Sequence, residues 1–322
     1  MINLPDHSGV GIFKKTARDR MHCMILNNIS ILSAMAKNHS SAAMNRGMIG
    51  YTIKRDFGPF SQKEFHEYAR ATNDSIDKYS GDEAPAPPFF FSKELYPMFR
   101  KIITNGELKL DLLRMVHGYQ GLNCFGHIMK GDFIRVEMSI DDITETAAGE
   151  ILKIVTRGYR DGEILFEGDT GFVVRRRRHG GNNKNGMRIV DPYVEDYEKS
   201  GIKLQIPTRK GQEKQYSKVS NDTNPIHTSM FFARLAGLPG TIMHGVCVIA
   251  MCTNSIMDEF AEGDNRRLKS VSGRFTYPVY PGDTLLLTGD RSRRGKLHEI
   301  NFSLYSPKGK RVLKKGHIIF SG

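Results

Sequence analysis

Between Ser61 and Ala71 the sequence SQKEFHEYARA sets Phe65, Tyr68 and Ala69 at i, i+3 and i+4, which is the spacing of one helix face. Ser61, with Glu64 three residues on, supplies a capping box, so the pattern predicts an amphipathic helix that starts at this point. A proline-rich turn, Ala84–Pro88, follows and leads into the aromatic run Phe89–Phe91, which reads as a rigid approach to a buried element. From there the period shortens. Strand-like runs at Leu112–Val116, Phe133–Ile140, Ile151–Tyr159, Ile164–Phe166 and Gly171–Val174 are punctuated by turn signals at Gly131-Asp132 and Asp161-Gly162. A helical region followed by several antiparallel strands predicts an α+β arrangement.

The same plan recurs further along the chain. Asp74 in ATND is matched by Asp222 in VSND, and Gly131-Asp132 by Gly282-Asp283, at intervals of 57 and 60 residues. Tyr159–Gly162 before one closing strand parallels Pro307–Lys310 before His317–Phe320. The order of these matches is kept, which predicts a duplicated fold. Its seam falls in the basic, Gly/Asn-rich stretch from Arg175 to Asn185. Five residues after Asp74 stands Tyr79, whereas His227 stands five after Asp222, so only the second copy carries an imidazole at that place. His117 has no acid at a fixed spacing and reads as a structural residue.

The richest chemistry lies in the stretch Val219–Gly245, VSNDTNPIHTSMFFARLAGLPGTIMHG. Asp222, Asn224, Pro225 and His227 form a polar turn in which the Asn-Pro pair disfavours helix. A helical run, Met230–Leu235, comes next and is closed by Gly237, Pro239 and Gly240. A second apolar helical run begins at Ile242 and carries His244 and Gly245 near its start. A carboxylate and an imidazole delivered to the foot of a helix suit acid–base work beside free backbone donors.

These residues also carry a resemblance. Asn221–His227 (NDTNPIH), followed by Met243-His244-Gly245, resembles the signature of the MaoC-like, or hydratase 2, branch of the hot-dog superfamily. The resemblance implies a double hot-dog, two tandem domains each with an antiparallel sheet wrapped on a central helix. It also implies reversible hydration of trans-2-enoyl thioesters, or dehydration of (R)-3-hydroxyacyl thioesters, carried by CoA or acyl carrier protein. Matched residue by residue, Asp222 and His227 take the places of the catalytic pair and Gly245 that of the glycine whose N–H faces the thioester oxygen; Asn224 and His244 fall among the substrate-side residues. Asn221 stands where many members have glycine, and asparagine is the side chain that best tolerates left-handed backbone. Ser272–Leu285 resembles the strand and Pro281-Gly282-Asp283 turn that follow the family's helix, and places Arg274 where phosphate or pantetheine contact and plain surface exposure are equally open. A binding protein of the same fold without turnover is the alternative reading.

On these grounds we expect a tail at 1–47, disordered or upstream of the natural start, and a non-catalytic hot-dog domain at 48–176. A basic, glycine-rich linker at 177–204 and a catalytic domain at 205–322 complete the expected order. The 322 residues and 39% apolar content allow full cores in both halves. No apolar run of 18 residues occurs, so no membrane span is expected. Cys23, Cys124, Cys247 and Cys252 form no C-x-x-C pair, which suits a reducing, cytoplasmic setting. The charge of +12 is concentrated: net +4 lies in residues 1–49 and another +4 in Arg175–Arg178. With no basic–aromatic interleaving, the excess reads as solvated charge that draws a phosphate-rich thioester carrier, and nucleic acid is not an expected partner. There is no nucleotide loop, and His227 and His244 lack a ligand spacing, so no cofactor or metal is expected. The two copies are expected to act as a dimer-like unit, with a further homodimer left open.

Overall fold

The computed structural model describes residues 43–112, 114–147, 149–175 and 199–322. The expected tail up to residue 42 and most of the expected linker lie outside these residues. Met44 and Met48 are already buried, and the Glu150 carboxylate accepts the Met44 N–H.

Among the described residues ten strands form one antiparallel sheet: β1 (Thr52–Phe57), β2 (Met115–Cys124), β3 (Ile134–Thr146), β4 (Gly149–Arg160), β5 (Glu163–Arg175), β6 (Ile202–Pro207), β7 (Leu268–Phe275), β8 (Thr284–Arg294), β9 (Leu297–Tyr305) and β10 (Arg311–Ser321). Their order across the sheet is β1-β3-β4-β5-β2-β7-β10-β9-β8-β6. Within each set of five the order is the same, first-third-fourth-fifth-second, so the duplication expected from the short sequence matches is a duplication of topology. The halves join where β2 pairs antiparallel with β7, with Tyr119 opposite Arg274 and Gly121 opposite Ser272.

The helices expected from the sequence pattern are present, with instructive offsets, alongside three that the pattern did not mark. Helix α1 (Gln62–Ala71) carries the full Ser61/Glu64 capping box and buries Phe65, Tyr68, Ala69 and Ala71. Helix α2 (Tyr96–Ile103) completes the first half. In the second half α3 (Gln212–Ser220), α4 (Pro225–Thr228) and α5 (Met230–Leu235) lead to α6 (Gly245–Ala261). The α6 helix starts three residues later than its apolar pattern suggests. Met243 is drawn into extended backbone by giving its N–H to the Val279 carbonyl at 2.9 Å. Likewise β2 begins later than Leu112 and runs on through Gly118, Gln120, Gly121 and Asn123, which mask its alternation. The two runs at Ile164–Phe166 and Gly171–Val174 are one strand, β5, because Gly168 between them is a close contact for Phe91 rather than a turn.

Helix α6 is mostly apolar and buried along most of its length, the position of a core helix, with Asp258 and Glu259 exposed near its end. It packs on β2, β6 and β7, so it touches strands of both halves. Its polar groups also reach across: Asn254 Nδ2 donates to the Thr72 carbonyl at 3.2 Å. The paired helices α1 and α3 meet beside it, where the Tyr68 and Tyr216 hydroxyls lie 3.2 Å apart. Among the described residues no helix is long and apolar enough to cross a membrane.

Candidate active site

The polar loop after α3 is held from both sides. Asn221 adopts the left-handed region (φ 54, ψ 9), ends the helix, and gives its side-chain N–H to the Lys93 carbonyl of the first half at 3.1 Å. An asparagine meets the backbone demand that glycine meets elsewhere. Asp222 then turns inward. Its carboxylate accepts the Asn224 N–H at 3.0 Å, while its carbonyl accepts the Ser217 hydroxyl. Asn224 caps α4 by accepting the Ile226 N–H at 3.3 Å, and Pro225 fills the first turn, so His227 is delivered one turn later on the inner side.

Asp222, His227 and His244 converge, with ligating atoms all within 4.8 Å of one another. The rings of His227 and His244 stack with centroids 3.7 Å apart and a 24° tilt. His227 donates its Nδ1–H to the Ile242 carbonyl at 2.8 Å, which leaves the Nε2 lone pair as its free end when the ring is neutral. His244 donates Nε2–H to the Asp222 carbonyl at 3.3 Å and keeps the same nitrogen 3.9 Å from Asp222 Oδ2. Behind it lies the Tyr216 ring, 4.9 Å away, so His244 is sandwiched and only 2% exposed.

Burial dominates the electrostatics. It raises the Asp222 carboxyl above the usual carboxylate range, against the pull of His227. Burial likewise depresses His227, against the opposing pull of Asp222 and the Ile242 carbonyl. His244 is pushed well down by burial and by His227. Burial thus favours the uncharged form of each of the three groups, and at neutral pH the two imidazoles are neutral. Two imidazoles and a carboxylate this close are also a donor set that could hold a divalent ion.

Gly245, the first residue of α6, opens a helix end at which three N–H groups have no intrahelical partner. The space above its Cα is occupied. A Cβ there would stand 2.9 Å from His117 Nδ1 and 3.1 Å from the Phe275 ring. His117 comes from β2 of the first half, donates Nε2–H to the Tyr119 carbonyl at 3.0 Å, and is driven by burial to about 4. So the imidazole that reads as structural from its sequence surroundings lies beside the glycine of the loop. Arg274 is not brought there: it is exposed on β7 while its neighbour Phe275 turns towards Gly245.

Sequence reasoning passed over Glu213 and Tyr216. With Ser217 and Ser220 they occupy i, i+3, i+4 and i+7 of α3 and are buried. A polar stripe at core spacing, ending two residues before Asp222, is the signal that would have marked them. Tyr96 of the first half also faces this region, and its phenol is raised by burial and by the Asp222 charge. In the first half the equivalent place is plugged. Asp74, 8% exposed, is bonded to Lys78 Nζ at 2.6 Å and to the Tyr79 hydroxyl, and Lys78 also reaches Asp258.

Known proteins resemble the chain in both of its halves. Residues 197–302 match the model of the MaoC-like domain, and residues 48–167 that of the FAS1-like dehydratase domain region. A Mycobacterium tuberculosis 3-hydroxyacyl-thioester dehydratase Y is 29% identical over 187 residues, 56% of this chain and 63% of that protein. The peroxisomal enoyl-CoA hydratase 2 of Arabidopsis thaliana is 27% identical over 215 residues, 60% of this chain and 68% of that protein. The chain thus spans about two thirds of the length of these relatives. A solved Mycobacterium tuberculosis protein described as having a double hot-dog fold superposes over 85% of this chain and 96% of its own, at TM-score 0.55 and 9% identity, which speaks to fold alone. The chain is accordingly a double hot-dog in which a FAS1-like dehydratase domain region precedes a MaoC-like domain.

Proposed function

We propose that this protein is a hydro-lyase that hydrates trans-2-enoyl thioesters and, in reverse, dehydrates (R)-3-hydroxyacyl thioesters. The observation that carries this reading is the convergence of Asp222 and His227, from one loop, beside the free N–H groups at the start of α6. Adding water puts its oxygen on C3 and a proton on C2, and negative charge builds on the thioester oxygen between. In this reading Asp222 and His227 hold the water, and one of them takes its proton as the oxygen adds to C3. That proton is then passed on to C2, so the water's oxygen and hydrogen end on adjacent carbons, and the Gly245 N–H meets the growing oxyanion, a contribution typically worth about 3 kcal/mol. Asn224 keeps the loop in shape, and His244 supports His227 from behind.

The same reading makes residues 205–322 the catalytic domain and 48–176 its silent partner, joined by a linker at 177–204. Asp74 supports that division, since Lys78 and Tyr79 already occupy its carboxylate. The first half would instead line the acyl chain's path. A narrow cavity of about 20 Å³ runs between Phe89, Phe91, Phe99 and Val246, next to Gly245, and must widen to admit more than a water-sized group. Cys124, Cys247 and Cys252 are free thiols, which supports a reducing compartment, cytoplasmic in our reading. The substrate is a thioester of CoA or of acyl carrier protein. The test is the loss of enoyl-thioester absorbance on incubation with a series of enoyl-CoAs, with chiral analysis of the product; an absence of turnover across the series would leave only a binding role.

A further inference from the structure

Three of the large apolar side chains left in water by the described residues sit together on α5: Met230 is 48% exposed, Phe231 70% and Leu235 73%. Ala233 is buried beneath them and anchors the helix, so the exposed face is fixed rather than frayed. Its position is set by the site, because α5 begins three residues after His227 and Ser229 gives its N–H to the Pro225 carbonyl at 2.9 Å. Clustered exposure of this kind marks a contact surface.

Charge says what it contacts. Arg234 is exposed on α5 itself, and Lys210, Lys214 and Lys218 are exposed on and just before α3, which packs on α4 as α4 packs on α5. None of these four cations forms an ion pair with a described residue. From Arg209 to Gly245 the acids are Glu213, which is 3% exposed, and Asp222, which belongs to the site. The rim is therefore apolar and positive.

We propose that this face docks an acidic carrier protein, which presents its acyl thioester to Asp222 and His227. The proposal rests on the hydro-lyase reading and chooses between the two thioester carriers that reading leaves open. A second copy of the chain is a poor occupant, because a twofold contact would bring Arg234 and the lysines against their own equivalents. A lipid surface needs a longer apolar face than one six-residue helix. A carrier that must dock and leave within a turnover suits a small apolar patch ringed by steering charge.

The experiment compares wild type with Phe231→Asp and Arg234→Glu, using the same enoyl group on CoA and on an acidic acyl carrier protein. We expect kcat/KM for the carrier-borne substrate to fall tenfold or more in each variant, while the CoA value stays within twofold. Equal losses on both carriers, or no loss on either, would overturn the proposal. So would a light-scattering change from dimer to monomer in Phe231→Asp with unaltered carrier kinetics, or loss of binding to anionic vesicles with unaltered carrier kinetics. Anisotropy of a labelled carrier protein separates the two levels of inference. Binding lost in the variants while the wild type turns over neither substrate keeps the docking face and removes the chemistry; a wild type that does not bind the carrier removes the face.

Discussion

His227 and His244 lie ring on ring, 3.7 Å between centroids, although sixteen residues of chain lie between them. The contact joins the loop that bears the acid to the foot of the core helix. It gives His227 a rigid wall on one side and leaves its Nε2 as the working end, since Nδ1 is committed to the Ile242 carbonyl.

Removing either member of the proposed pair should abolish chemistry without unfolding the protein. For Asp222→Asn and His227→Ala we expect kcat to fall roughly 10²- to 10⁴-fold, with near-unchanged circular dichroism. Steady-state kinetics on an enoyl-CoA decides it, and full activity in either variant would reject the pair.

His244 should behave as a support. In His244→Gln the stacked wall is altered while Asp222 and His227 remain, so kcat should drop, roughly tenfold, and KM should hold. A rise in KM alone would instead put His244 in contact with substrate.

Acid should inactivate reversibly. Burial raises Asp222 above 3.8 and lowers His227 and His244 below 6.5, so as pH falls the Asp222 carboxylate used in the proposed step is protonated earlier than a free one and the working form is lost. A pH profile of kcat/KM should show this acid limb. Stability moves the same way: a buried histidine whose pKa is depressed contributes fully above about 6.5 and loses that contribution as pH falls through its folded value, about 4 for His117. Melting temperature against pH in wild type and His117→Gln tests the second statement, and the variant should show the shallower decline.

Gly245→Ala should cost both fold and function. Its Cβ would meet His117 Nδ1 at 2.9 Å and Phe275 at 3.1 Å, an overpacking worth about 1–3 kcal/mol. Adding His117→Ala removes one of the two contacts and should recover part of the lost melting temperature. Whether activity returns with it tells whether the glycine serves ring packing alone or also the approach of the thioester.

The plugged site in the first half makes the opposite prediction. Lys78→Met leaves Asp74 buried with one charge partner removed, which should destabilise by about 3–5 kcal/mol. Turnover per folded molecule should stay near wild type. A selective loss of kcat, with stability kept, would show that the first half takes part in the chemistry.

Local signals were legible in the sequence wherever one residue type meets one physical need. Ser61 and Glu64 announce a capped helix and form one, and the left-handed turn asked of Asn221 is the turn it makes. The recurrence of Asp74 at Asp222 foretells the repeated strand order, because each acid follows a helix that opens its half. Partnership across the fold was not legible. Nothing near His117 in sequence points to Gly245, and the Tyr216 backing of His244 depends on how α3 packs beside α6. Strand limits blurred where Gly168 and Gly171 stand in β5, since a glycine that admits a neighbour's ring and one that makes a turn are written with the same letter.

The antiparallel seam between β2 and β7 joins the two halves of one covalent chain into a single sheet. An assembly of two separate chains comes apart on dilution, whereas this union is first-order and holds however scarce the protein is. Each face of the union is also free to change without its twin changing, so one socket can be filled in while the other goes on working.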